Sequence, residues 1–205
     1  MSVSVNGTQG VHYWLMTVQD PPPPIPDSYR VDFSLLNIDF PPGARLWGGP
    51  YPGNQDPALA GQRLEQLLEI GVSHFINLTE AQERSDHYDL LLAQAAATRS
   101  TAVGYQRIPI ADYSVPPVAT IHRILDSIDT ALVRGDGVYV HCWGGIGRTG
   151  TIIGCWLVRH GLSGRQALQQ IAAWRKNLPS ASIESPETDA QRQMVLNWQQ
   201  FENRN

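Results

Sequence analysis

Residues 138–156 read VYVHCWGGIGRTGTIIGCW. An apolar β-branched run ends in His141 and Cys142. Gly144, Gly145 and Gly147 follow, then Arg148, Thr149 and Gly150, then a second apolar run. The first run has the continuous hydrophobicity of a strand buried on both faces. The second predicts a helix from about Thr149 to Val158. Between them the glycines allow a tight turn. Its amide N–H groups and the positive end of the helix dipole converge into a cradle for a tetrahedral anion such as phosphate or sulfate. Trp143, Gly144, Gly145, Ile146 and Gly147 are expected to wall this cradle. Arg148, at the helix start, can grip two oxygens of one anion. Cys142 falls at the base of the nest, where a helix terminus and a neighbouring cation favour thiolates, in line for attack on phosphorus. His141 is expected to fix the loop by hydrogen bonding and to help keep the thiolate charged, and Thr149 to donate its hydroxyl to the sulfur.

Two plainer readings compete with this one. A cysteine and an arginine six positions apart occur often by chance, and a strand–turn–helix junction accommodates cysteine as a small core hydrophobe. The fuller pattern His-Cys-x-x-Gly-x-Gly-Arg-Thr-Gly, with the right strand and helix around it, exceeds what such a junction requires. A nucleotide P-loop needs a lysine after its glycines, and Arg148 is the only cation in this loop.

Outward from the loop the chain alternates. VDFSLLNIDF (31–40) and ARLWGG (44–49) read as strands. Asp56 and Pro57 supply a helix N-cap and first residue, Leu59, Leu64, Leu67 and Leu68 share the following helix's apolar face, and Gly71 stops it. VSHFINL (72–78) reads as a strand, SDHYDLLLAQAAAT (85–98) as a helix and GYQRIPI (104–110) as a strand. Ile121, Ile124, Leu125, Ile128 and Leu132 sit at helical spacing before Gly135. Ser163 and Gln166 form a capping box, and the last helix is expected to open at Ser185-Pro186-Glu187. This alternation predicts an α/β fold, a central mostly parallel sheet with helices on both faces. Ligands of such sheets sit at the carboxyl ends of the strands, and Cys142 is at one of them.

A length of 205 residues and 22.7 kDa suits one domain with a short extension. Residues 1–29 read as the extension, closing on DPPPPIPD (20–27), an extended proline spacer or, more sharply, an SH3-type ligand. Residues 30–205 read as the domain. A formal net charge of -4 argues against nucleic-acid and anionic-membrane partners. Apolar runs are too short to span a bilayer, no basic-then-apolar leader is visible, and two cysteines make no disulfide framework. A cytoplasmic location is the expectation, and the sequons at Asn6 and Asn77 then read as chance. Cys155 lies about 9 Å along the helix from its start, too far for easy pairing with Cys142, and reads as core.

HCWGGIGRTG resembles the signature loop of the cysteine-dependent protein phosphatases at His141, Cys142, Gly145, Gly147, Arg148, Thr149 and Gly150. The double glycine after an aromatic residue resembles the dual-specificity branch, especially the cyclin-dependent-kinase-associated phosphatases. The likeness covers roughly residues 40–200. It implies a protein-tyrosine-phosphatase-like fold and hydrolysis through a phosphocysteine intermediate, with no cofactor. It also implies a general acid on a loop about thirty residues before the cysteine. In RIPIADYSVPP (107–117), Asp112 is thirty residues upstream of Cys142. The plainer alternative makes it a turn residue. Asp126 and Asp129 fall within a helix and Asp136 within a tight turn. The family's last helix implies that Glu187 or Gln191 orients the hydrolytic water, although a capped helix packing Val195 and Trp198 explains the same residues. Arg84 and His87 either face the site or are solvated.

Family members that act on phosphoinositides carry lysines where this loop has Trp143 and Ile146, and the tyrosine-specific members carry a long recognition segment absent here. The resemblance therefore implies a shallow site for a phosphorylated protein or peptide, taking phosphotyrosine and also phosphoserine or phosphothreonine. A non-protein phosphate ester, a phosphate-binding pseudophosphatase, and sulfur transfer or arsenate reduction are the competing readings.

Overall fold

Five short β-prone runs pair into one sheet in a computed structural model that describes residues 25–83 and 87–202. The strands are β1 (Tyr29–Arg30), β2 (Arg45–Gly49), β3 (Val72–Asn77), β4 (Gly104–Arg107) and β5 (Gly137–His141), in the order β1-β2-β5-β3-β4. β1 runs antiparallel to β2, and the other pairs are parallel. Every residue of the central strand β5 is buried, as its unbroken hydrophobicity requires. The register sets Gly49, His141, Asn77 and Arg107 in one row at the carboxyl edge.

Among the described residues the α-helices are α1 (Pro57–Glu69), α2 (Asp89–Thr98), α3 (Val118–Val133), α4 (Gly147–Arg159), α5 (Gly164–Arg175), α6 (Asp189–Asn197) and α7 (Gln199–Glu202). α1 and α2 pack Leu64, Leu67 and Leu92 with Trp47, Phe75, Tyr88 and Tyr139. On the opposite face α3 to α6 bury Ile121, Leu125, Ile153, Ile171 and Val195 with Leu46, Ile76 and Val140. α4 is buried along almost its whole length, which makes it the mechanical base of the glycine loop. This is the α/β fold expected, with helices on both faces.

Several boundaries differ from expectation; the helix read from residue 85 is α2 from Asp89, and the strand read to residue 110 is β4, which ends at Arg107. Residues 31–40 form no strand. Asp32 accepts the Ser34 N–H and starts a 3-10 turn at Phe33–Leu35, while Phe33 and Phe40 pack on Trp156. α4 begins at Gly147, two residues earlier than expected. α6 begins at Asp189 with Thr188 as N-cap in a capping box with Gln191, because the Ser185 hydroxyl is committed elsewhere, to the Ile146 carbonyl at 2.7 Å.

Within the stretch read as an extension, Ile25, Ser28 and Tyr29 are buried. Its first 24 residues, the Asn6 sequon and Arg84 lie outside the described residues. Asn77 is fully buried and its side chain bonds Thr79 and Tyr105, an environment that leaves no room for a glycan. No described helix is long and apolar enough to cross a membrane.

Candidate active site

Cys142 follows the last residue of β5 and is 3% exposed. The loop after it is fastened from outside. The Tyr51 N–H donates to the Trp143 carbonyl at 2.9 Å, and Ser185 holds the Ile146 carbonyl. Gly145 has φ +72, and a Cβ there would fall 2.4 Å from the Gly49 carbonyl carbon. Only glycine meets both conditions. Gly144 and Gly147 do not share that left-handed backbone. Gly147 instead admits Gln191, whose Oε1 would lie 2.9 Å from an added Cβ. Ile146 offers no side-chain cap to α4, so the first-turn amides of that helix are not engaged by a capping oxygen and can serve an anion.

Arg148, in the first turn of α4, is 2% exposed. Its guanidinium makes two parallel bonds to Glu83, Nη1 to Oε2 at 2.7 Å and Nη2 to Oε1 at 2.5 Å. Nη1 also donates to the Ile110 carbonyl at 3.1 Å, and Nη2 lies 3.0 Å from Asp112 Oδ1. Burial works against the charge, but the Glu83 hydrogen bonds and the nearby Cys142, Glu83 and Asp112 outweigh it and raise the pKa above the ordinary arginine value. Nε is buried with no partner among the described residues. That leaves one donor of the planar fork for an incoming oxygen.

Asp112 sits in the turn between β4 and α3, with its side chain 49% exposed. Its Oδ1 also accepts the Tyr113 N–H at 3.0 Å. The loop is tied by Ser114 to Ala111 and by Gln191 Nε2, which donates to the Ser114 carbonyl at 3.2 Å. The turn reading of Asp112 and a place in the site are thus both realised.

His141 is fully buried. Its Nδ1–H donates to the Cys142 carbonyl at 3.2 Å, and the Tyr88 hydroxyl donates to Nε2 at 2.7 Å. A carbonyl can only accept, so this tautomer satisfies both contacts. Burial drives the pKa down to about 3 against the smaller upward pull of the Cys142 carbonyl, and Arg107 and Arg148 lower it further. The ring is neutral and supports the loop through hydrogen bonds, not through charge. Thr149 also departs from expectation. Its hydroxyl donates to the Gly49 carbonyl at 3.4 Å, not to the sulfur. The parallel register that sets Gly49 opposite His141 brings that carbonyl to the start of α4.

A cavity of about 240 Å³ opens over this base, lined by Asp112, Tyr113, Cys142, Trp143, Gly144, Ile146, Gly147, Arg148 and Glu187. Glu187 therefore faces the cavity. Gln191 does not line it. Its carboxamide is consumed by Ser114 and by the Thr188 N–H. His87 is exposed and lines a different cavity, between α1 and α2. Asp126 and Asp129 are held by Arg159, and Asp129 also by Trp156 and His160. Asp136 bonds Arg134 and Ser73 at the amino end of β5, about 20 Å of strand away from Cys142. Cys155 is a buried free thiol whose pKa burial pushes well up.

Sequence reasoning did not single out Glu83. The available signal was its position, in the loop after β3 at the same sheet edge as Cys142. Tyr88 was equally silent, being one more aromatic before a helix.

Comparison with known proteins agrees with this geometry. Residues 51–162, more than half of the chain, match the Tc-R-P family, described as "Polymorphic toxin system, DSP-PTPase phosphatase". The chain is 32% identical over 93 residues to the dual specificity protein phosphatase CDC14B of Mus musculus, covering 44% of this chain and 18% of that protein. It is 32% identical over 96 residues to the phosphatidylglycerophosphate phosphatase PTPMT1 of Arabidopsis thaliana, covering 46% and 26%. The chain thus spans about a quarter or less of those relatives. Among solved structures, kinase associated phosphatase superposes with a TM-score of 0.69 at 17% identity, covering 88% of this chain and 97% of that one. PTPMT1 in complex with PI(5)P gives 0.60 at 21%, covering 78% and 92%. These structures share the fold, and the match over residues 51–162 shows that the chain belongs to the dual-specificity-like DSP-PTPase phosphatase family.

Proposed function

We propose that the chain is a phosphoprotein phosphatase that hydrolyses phosphotyrosine, and phosphoserine or phosphothreonine, through a cysteinyl-phosphate intermediate. The observation that carries this reading is the 240 Å³ cavity, where Cys142, Arg148 and Asp112 meet under a rim free of lysine. The Cys142 thiolate attacks phosphorus as the ester P–O bond breaks, and Asp112 gives its proton to the leaving oxygen. Arg148 and the loop amides hold the equatorial oxygens while charge shifts. Water then attacks phosphorus, Asp112 takes its proton, and the S–P bond breaks to release inorganic phosphate and the thiolate. Glu187 is the residue of its pair that can orient that water, and Gln191 instead holds the acid loop. The likeness to a phosphatidylglycerophosphate phosphatase carries a second reading, a lipid phosphate monoester as substrate.

The test is phosphate release from a phosphotyrosyl peptide, a phosphoseryl peptide and phosphatidylglycerophosphate vesicles, with and without EDTA, for the wild type and Cys142→Ser. The proposal expects peptide hydrolysis insensitive to EDTA. It also expects Cys142→Ser to lose turnover while still binding vanadate. Turnover confined to the vesicles would replace the protein reading with the lipid one. Near-wild-type turnover by Cys142→Ser would remove the covalent route.

A further inference from the structure

A second cavity lies away from the cysteine loop, at the amino ends of α1 and α2. It encloses about 490 Å³, within the roughly 300–1,000 Å³ of sites that hold large apolar ligands. Pro57, Ala60, Leu90 and Leu91 give it apolar walls, and Tyr88 lines it as well. Leu90 is 71% exposed. No aspartate, glutamate, lysine or arginine stands among the described residues that line it. An apolar cleft of this size left open to water marks a binding surface. Its lining calls for an uncharged occupant, because a charge brought there would lose hydration and meet no counter-ion.

The chain itself carries such an occupant. Residues 11–18 read VHYWLMTV, and residues 1–19 contain no aspartate, glutamate, lysine or arginine. Tyr13, Trp14, Leu15 and Met16 are four consecutive large side chains that gain by leaving water.

Topology brings this segment to the cavity. α1 and α2 follow the parallel strands β2 and β3, so both begin at the carboxyl edge of the sheet. β1 runs antiparallel to β2, so the residues before it lie at that same edge. Ile25, where the described chain begins, is 2% exposed. It belongs to the apolar cluster under α1 and α2, with Leu64, Leu67, Tyr88 and Leu92. The chain therefore enters on the face that carries the cavity. From β1 to β3 is three strand spacings, about 14 Å. The six residues 19–24, QDPPPP, reach about 19 Å at the rise of a polyproline chain.

We infer that residues 11–18 dock in this cavity of their own chain, with the proline run as a spacer of the needed length. The docked segment covers Leu90 and bears on Tyr88, whose hydroxyl holds His141 beside Cys142. The inference stands apart from the phosphatase reading, because docking needs no turnover.

The test uses the full chain with Leu15 alone replaced by its diazirine analogue. Light expels dinitrogen and leaves a carbene that inserts into the nearest C–H, N–H or O–H bond, so undocked chain is trapped by water. Mass spectrometry of the digest gives the ratio of cavity adducts to water adducts. Docking predicts adducts on the peptides that carry Pro57 and Ala60 or Leu90 and Leu91. Leu90→Glu, at a largely exposed position, should cut that ratio at least about tenfold with an unchanged circular dichroism spectrum. The adduct map in the unsubstituted cavity decides the matter even if that variant fails to fold. Mixing isotope-labelled with unlabelled chains separates adducts within a chain from adducts between chains. Adducts with water alone, adducts concentrated elsewhere on the chain, adducts joining two chains, or a ratio unchanged in folded Leu90→Glu each overturn the inference.

Discussion

Arg148 and Glu83 face one another as a planar fork on a carboxylate, joined by two bonds although 65 residues separate them in the chain. Removing one partner of a buried pair leaves the other charged and uncompensated, and this guanidinium is 1% exposed. Glu83→Gln should therefore let Arg148 drift from its grip on phosphate. The expected result is a fall in kcat/KM of at least about tenfold, about 1.4 kcal/mol of transition-state stabilisation, with weaker vanadate binding and a folded circular dichroism spectrum. A variant within about threefold of wild type would mean that Ile110 and Asp112 alone orient the guanidinium.

Asp112 rests 3.0 Å from the same guanidinium, so a substrate oxygen and this carboxylate compete for Nη2. Asp112→Asn should bind vanadate or phosphate more tightly than the wild type while turning over more slowly. The loss should be largest for phosphoserine, whose alkoxide needs the proton most, smaller for phosphotyrosine and least for p-nitrophenyl phosphate. Steady-state kinetics on the three esters, with anion titration, checks both parts. Equal losses on all three would place the acid elsewhere.

Arg148→Lys is expected to be nearly as damaging as Arg148→Ala. An ammonium is a point donor and cannot hold Glu83 through two parallel bonds while presenting Nε–H to the anion. Both variants should lose about two or three orders of magnitude in kcat, the scale of losing a preorganised oxyanion donor. A lysine variant keeping more than about a third of wild-type activity would deny that the planar fork on Glu83 is what presents Arg148 to the anion.

His141 makes the fold acid-sensitive. Its pKa is about 3 when folded against about 6.5 in an unfolded chain. Between those values the unfolded chain binds the extra proton, so stability rises with pH across that window and is lost as pH falls, by at most about 1.4 kcal/mol per pH unit. Burial works against the Asp129 carboxylate, but His160, Trp156 and Arg159 hold its pKa below the ordinary value, so its loss comes only at lower pH. Urea unfolding at pH 4.5, 5.5, 6.5 and 7.5 should show a slope that His141→Gln flattens. An unchanged slope in that variant would assign the acid sensitivity to other groups.

Much of the site is contiguous in the chain. Cys142, the glycines and Arg148 fall within one turn between a buried strand and a helix, and that geometry is set by backbone sterics over a few residues. Strand and helix periodicity, with caps at Asp56 and Ser163, likewise announces the α/β alternation locally. Asp112 was singled out because the family resemblance implies an acid about thirty residues before the cysteine, and the strand before it leads to the carboxyl edge of the sheet. Only the tertiary structure decided that Glu83, not the neighbouring Glu80, meets Arg148. It also decided that Tyr88 reaches His141, that Thr149 turns to Gly49, and that Gln191 spends its amide on the acid loop and leaves the cavity to Glu187. These contacts join loops from different strands, and which loops meet depends on the sheet order β2-β5-β3-β4. Hydrophobic periodicity records which face of each element is buried, not which element lies beside it, so those partners exist only once the sheet has assembled.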